Sequence, residues 1–194
     1  MKFLIALLLS VFVIFSYNNS SAQDESQMDN KPEVEEPATE DEELDPLRFY
    51  KAKYDATFKA PMDIVTEAIE KAIEGIDCVI VQNVMKTNED GWLKSIIKSD
   101  YCVFVEGDST FDMLRANSYE MPFIRGGAWK NGRMQYKFIV TEQPDETCYL
   151  LLKGNLSGFE HYVTNRVHFW VTNGIFEHDM LVAIERKIQE LLKE

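Results

Sequence analysis

The chain has 194 residues, 45% of them apolar and 12% aromatic, and its 33 acids against 20 bases leave a formal charge of −13. That apolar share supplies a core for one domain and is too high for a wholly disordered chain. The charge sign excludes the basic stripe that displaces counterions from phosphate, so no nucleic-acid partner is expected.

Met1 and Lys2 precede an apolar run from Phe3 to Phe15, broken only by Ser10. Crossing a bilayer takes about 20 apolar residues, whereas a secretory signal needs only about 7–15. Residues 1–22 are therefore expected to be a signal peptide cut after Ser20-Ser21-Ala22. The product would be exported, periplasmic or extracellular, with no stable membrane span left. No cysteine lies near the cut to carry a lipid anchor. Residues 23–46 hold eleven acids against the single Lys31, which accounts for −10 of the −13, together with Pro32 and Pro37. Such a segment buries too little surface to offset its ordering entropy and is expected to be a disordered acidic tail.

The body, residues 47–194, then carries a nearly balanced charge. Tyr50, Ala52, Tyr54, Ala56 and Phe58 alternate with polar residues, the period of a half-buried strand. Pro61 opens a helix to Glu74, with Met62, Val65, Ile69, Ala72, Ile73 and Ile76 on one face and Gly75 at its stop. Strands are expected at Cys78–Met85 and Trp92–Val105, joined across Asn88-Glu89-Asp90-Gly91, with a short helix or loop at Thr110–Arg115. Phe123–Lys130 and Arg133–Val140 flank Asn131-Gly132, a two-residue hairpin signal. Pro144-Asp145-Glu146 turns the chain into Thr147–Leu156, and Gly158 turns it again into Tyr162–Thr172. An amphipathic helix from Ile175 to Lys193 closes the chain, with Phe176, Met180, Ile184, Ile188 and Leu191 as its apolar stripe and Glu177, Asp179, Glu185, Arg186 and Glu190 toward water. The class is α+β: a curved antiparallel sheet of about seven strands on a long C-terminal helix, in the order β-α-β6-α.

This order, together with the Phe58-Lys59-Ala60-Pro61-Met62-Asp63-Ile64-Val65 junction, resembles the helix-grip domains of the START and birch-pollen-allergen superfamily, over about Phe49 to Leu192. BamC-like envelope domains are similar in order, although their lipidated cysteine is absent here. The resemblance implies a cavity between sheet and last helix. It departs in showing one helix between the first two strands and an extra connection at Gly107–Glu120. No residue-level chemistry carries over from either family.

Few residues announce chemistry. Cys78, Cys102 and Cys148 sit among β-branched and aromatic neighbours as small buried hydrophobes do, so free buried thiols are the first expectation and one disulfide the alternative. His161 and His168 would fall on opposite faces of one strand, and no metal site or cofactor is expected. Gly154-Asn155-Leu156-Ser157-Gly158 has its serine one place too late for a nucleophile elbow, and no phosphate loop occurs. No catalytic residue is assigned.

Two surfaces stand out. In the last strand Val163, Val167, Phe169 and Val171 share one face, and Tyr162, Thr164, Arg166, His168 and Trp170 the other. If the aliphatic face meets the helix, the second is an outer surface rich in hot-spot residue types; reversed, it lines a pocket. Arg125, Lys130 and Arg133 cluster with aromatics and glycines around the expected hairpin, either as solvated bases or as a contact for an anion, a lipid headgroup or the acidic tail itself.

Three functions compete. The first is a non-enzymatic module for a hydrophobic or lipid-like ligand lined by Phe138, Val140, Leu150, Leu152, Phe176, Met180 and Ile184. The second is an envelope scaffold with a filled core, binding a protein partner through its outer surfaces. An enzyme of cyclase-like helix-grip type is the third.

Overall fold

The computed structural model describes residues 51, 53–87 and 91–193. The signal run, the acidic segment, Tyr50, Ala52 and the Asn88-Glu89-Asp90 turn residues lie outside the described residues. The elements follow as β1 (Tyr54–Phe58), α1 (Met62–Glu74), β2 (Ile80–Thr87), β3 (Leu93–Ser99), β4 (Cys102–Glu106), α2 (Thr110–Ala116), β5 (Trp129–Glu142), β6 (Cys148–Glu160), β7 (Arg166–Trp170) and α3 (Ile175–Leu191). The class is α+β, as the periodicities require. Seven strands form an antiparallel sheet in the order β1-β6-β5-β3-β2, with β4 also on β5 and β7 also on β6.

A long β5–β6 hairpin is the spine. It pairs from Trp129 opposite Glu160 to Glu142 opposite Cys148. Period-2 alternation sends one set of side chains, Met134, Tyr136, Phe138 and Val140 with Leu150, Leu152 and Leu156, into the core. Onto that face pack Val65, Ile69 and Ile73 of α1 and Met180, Ile184 and Ile188 of α3. The C-terminal helix thus lies on the sheet beside α1.

Several local expectations give way to tertiary packing. Asn131-Gly132 makes no turn: both residues run inside β5. A Cβ on Gly132 would come within 2.8 Å of Phe104, Leu114 and Val105, so the glycine is a slot for packing. Gly158 likewise continues β6, beneath Trp129, Trp170 and Leu114. The stretch expected to be a strand at Phe123–Lys130 is irregular as far as Ala128. The expected strand Trp92–Val105 breaks at Asp100-Tyr101 into β3 and β4. At the break Ser99 Oγ accepts the Tyr136 N–H (2.9 Å), so a side chain does the work of a strand carbonyl. The order is therefore β-α-β3-α-β3-α.

Glu177 also departs from expectation. Instead of facing water it is 4% exposed, folded over Gly154 and accepting the Thr172 hydroxyl at 2.7 Å on both carboxylate oxygens. Desolvation raises its pKa above the ordinary 4.5 and the Thr172 hydroxyl opposes this. Burial and the nearby Glu177 charge push the Tyr136 phenol up as well.

The cysteines resolve into one disulfide, Cys78–Cys102, and one buried free thiol, Cys148. The expectation of free thiols therefore fails for the first two. They lie 24 places apart in the chain, and the reversal through β2 and β3 brings them together. Burial, then the charge of Glu142, pushes the Cys148 thiol up to about 11, which keeps it protonated and unreactive. The disulfide closes a loop of sequence separation 24. Restricting that loop in the unfolded chain is worth about 3 kcal/mol. Replacing both Cys78 and Cys102 by Ala should lower stability by that order in a denaturant titration, and reduction should add about 2 Da to the intact protein.

Candidate functional site

The candidate site lies on the outside of the sheet, where β4, the first half of β5, the second half of β6 and β7 run side by side. Its orientation follows from register. Leu156 and Gly158 face the core, and directly opposite them on β7 stand Trp170 and His168. The Arg166, His168, Trp170 face therefore points to the helix side, and Val167, Phe169 and Val171 point out. Of the two orientations open to this strand, the structure adopts the one with its aliphatic face in solvent: Val167 is 48% and Phe169 57% exposed.

The inward face is held by aromatic packing and by one anion. Trp129 meets Trp170 and His168 edge-on, at 5.4 and 5.6 Å between ring centres. Glu160, fully buried, accepts N–H bonds from Ala128, Tyr162, Val163 and Thr164 and the Thr164 hydroxyl. Because that hydroxyl donates to Glu160, it accepts from His168 Nε2 at 2.8 Å, which places a proton on Nε2. Desolvation raises the Glu160 pKa, but the Thr164, Val163 and Tyr162 donors outweigh it and hold the carboxyl well below its usual range. Glu160 thereby latches the β6–β7 turn.

On the outward side a groove of about 350 Å³ opens, walled by Tyr101, Phe159, Val167 and Phe169 and floored by Ser157 and Gly158. The β3–β4 break lets Tyr101 reach across β5 and β6 toward Phe169, and their ring centres are 5.9 Å apart. Small, buried Ser157 beneath them leaves the hollow. A register shift between Trp129 and Asn131 makes Lys130 the extra residue of a bulge and puts it at the groove's rim, beside Arg133. Neither cation forms an ion pair with a described residue. The arrangement offers apolar walls and a cationic edge.

A wider depression of about 710 Å³ adjoins it and includes Glu106, Asp108, Phe111, Lys130 and His161. Its mixed charges favour no ligand class. Among the described residues no group of three or more His, Cys, Asp or Glu is placed to hold a metal ion.

The residues singled out in the sequence separate. Lys130 and Arg133 come together at the groove, while Arg125 sits in the exposed loop before β5 and Tyr162 in the exposed β6–β7 turn. Arg166, His168 and Trp170 lie on the opposite face. Of the expected interior ligand residues, Phe138, Val140, Leu150 and Ile184 are 0% exposed, Leu152 and Met180 are nearly so, and Phe176 is half-buried against Phe104. A cavity roomy enough for water leaves accessible surface on its walls, so no such void touches the first four. Tyr101 and Phe159 are not singled out in the sequence, and Val167 and Phe169 are grouped there only as one of two strand faces that could meet the helix. Pairing with β6 selects between the two faces: His168 opposite Gly158 turns inward, and Val167 and Phe169 therefore turn outward.

Compared with known proteins, the chain matches no family model, no curated protein and no solved structure.

Glu160→Gln should loosen the turn that frames the groove, with amide exchange of Tyr162 to Thr164 rising well above that of β5. A native pKa below the ordinary 4.5 means the latch contributes stability above that pH and loses it as pH falls through the native value. The acid side of the stability profile should therefore flatten in the variant.

Proposed function

We propose that the chain is an exported, non-enzymatic binding module whose ligand is an anionic amphiphile, taken on the outside of the sheet. The observation that carries this is the juxtaposition of four apolar walls, Tyr101, Phe159, Val167 and Phe169, with Lys130 and Arg133, which pair with no described acid, at one rim. A hydrocarbon or aryl group gains from burial between the walls, and its anionic head gains a charge-assisted contact at the rim. The volume lies at the lower end of small-molecule sites. Export is supported by the signal-like N-terminus and by the Cys78–Cys102 disulfide, which belongs to an oxidising compartment. The helix-grip resemblance is supported by the antiparallel sheet with the C-terminal helix packed on it. The packed interior argues for placing the ligand outside the grip rather than within it.

A second reading, a protein-docking scaffold, has one observation in its favour. Phe123 is 91% and Tyr162 77% exposed at the same end of the sheet, and aromatics so placed are common interface anchors.

Titration with dodecyl phosphate and with a neutral-headed dodecyl amphiphile separates the two. The phosphate should bind at least about tenfold more tightly, and Arg133→Gln should remove most of that difference. Phe169→Ser should weaken both ligands. Equal binding of both heads, or binding indifferent to Arg133 and Phe169, would reject the amphiphile in favour of the scaffold.

A further inference from the structure

The same outer face carries a second feature that the groove does not use. On β3, β5 and β6, Lys98 stands opposite Lys137 and Lys137 opposite Lys153. Lys86 stands opposite Lys94 one strand pair away. All five project away from the helices, because their strand neighbours Ile97, Phe138 and Leu152 are core residues. Like charges directly across a ladder repel and cost stability. No ion pair with a described residue relieves any of the five. Asp55, on this face opposite Leu151, is already taken by Lys53 at 3.3 Å and by the Tyr149 hydroxyl at 2.9 Å.

The helices carry more acids than bases, with Glu67, Glu70 and Glu74 against Lys71 on α1, and Glu177, Asp179, Glu185 and Glu190 against Arg186 and Lys187 on α3, while Asp55 and Glu106 are the strand acids on the outer face. A nearly neutral body is thus polarised, with a cationic sheet face and acidic helices.

We infer that this face docks on an anionic phospholipid surface. The spread of the cations selects that partner over a linear acidic polypeptide. Counted together with Arg133 of the groove rim, the charges run eight residues along β5 from Lys94, opposite Thr141, about 27 Å at the rise of a strand. They also cover β2, β3, β5 and β6, about 14 Å across at the spacing of strands. A single extended chain can follow one row of such an array, whereas a headgroup layer meets all of it. Lysines suit this because they meet phosphate as point charges, without the fixed fork that a carboxylate-reading arginine supplies. Val103, Val167, Phe169 and Val171, exposed on the same face, add apolar side chains at headgroup depth. The lysine array is independent of the groove's occupancy, although a groove for an anionic amphiphile and a face for an anionic membrane are one chemistry at two scales.

Sedimentation of the full mature chain with phosphatidylcholine vesicles, with and without about 30% phosphatidylglycerol, tests the docking. Binding should require the anionic lipid and disappear near about 0.5 M salt. The triple variant Lys98→Gln, Lys137→Gln, Lys153→Gln should lose about fivefold per lysine, roughly 100-fold in all. The same variant should melt at a higher temperature at low salt, because the repulsion has gone, which also shows that it folds. Lys59→Gln with Arg186→Gln, away from the row, should bind as the parent does. Absence of binding to anionic vesicles, or equal losses in the two variants, overturns the inference. Binding to polyglutamate that anionic vesicles fail to displace overturns the lipid as partner and assigns an acidic polypeptide. Phe169→Ser should keep lysine-dependent vesicle binding even if it loses dodecyl phosphate, so failure of the groove and failure of the lysine face are read separately.

Discussion

The alternation of the β5–β6 ladder decides where every other part of this molecule can go. Thirteen residues of β6 and fourteen of β5 pair without interruption except at the Trp129–Asn131 bulge. A strand's side chains alternate strictly, so burying Phe138 and Leu152 against α1 and α3 commits Lys137 and Lys153 to the other side. The same rule, passed across the register to β7, turns His168 and Trp170 inward and Phe169 outward. Both the outer groove and the lysine row are consequences of one parity.

Glycines make the ladder compatible with its cover. Gly132, Gly154 and Gly158 all occupy core-facing positions, where a side chain would collide with Leu114, Glu177 or Trp129. Without them α2 and the start of α3 could not approach the sheet. Their absent side chains also explain why a carboxylate, Glu177, is tolerated inside: the slot over Gly154 brings it to the Thr172 hydroxyl.

Much of the fold was legible in the sequence, for a physical reason. α1, α3, β1 and β2 declare themselves through periods that local burial enforces, and those signals need no knowledge of the partner. The misread positions are those where one residue type answers to two causes. Asn131-Gly132 has the composition of a turn, yet Gly132 is there to admit Phe104 and Leu114. Gly158 deceives in the same way. The orientation of β7 was beyond local reading, since its two faces are both plausible interiors and only pairing with β6 selects one. The lysine row was invisible for a related reason: Lys98, Lys137 and Lys153 are far apart in the chain, and only register aligns them.

The inside of the fold is packed and its outside is chemically uneven, which moves the expected ligand from the interior to the sheet's outer face. Resonance broadening by a spin-labelled anionic phospholipid, followed amide by amide, tests that relocation most directly. Broadening should centre on Arg133, Lys137, Lys153, Val167 and Phe169 and leave Phe138, Leu150 and Ile184 unaffected. Broadening centred on Phe138, Leu150, Met180 and Ile184 would return the ligand to the space between sheet and last helix and contradict the assignment.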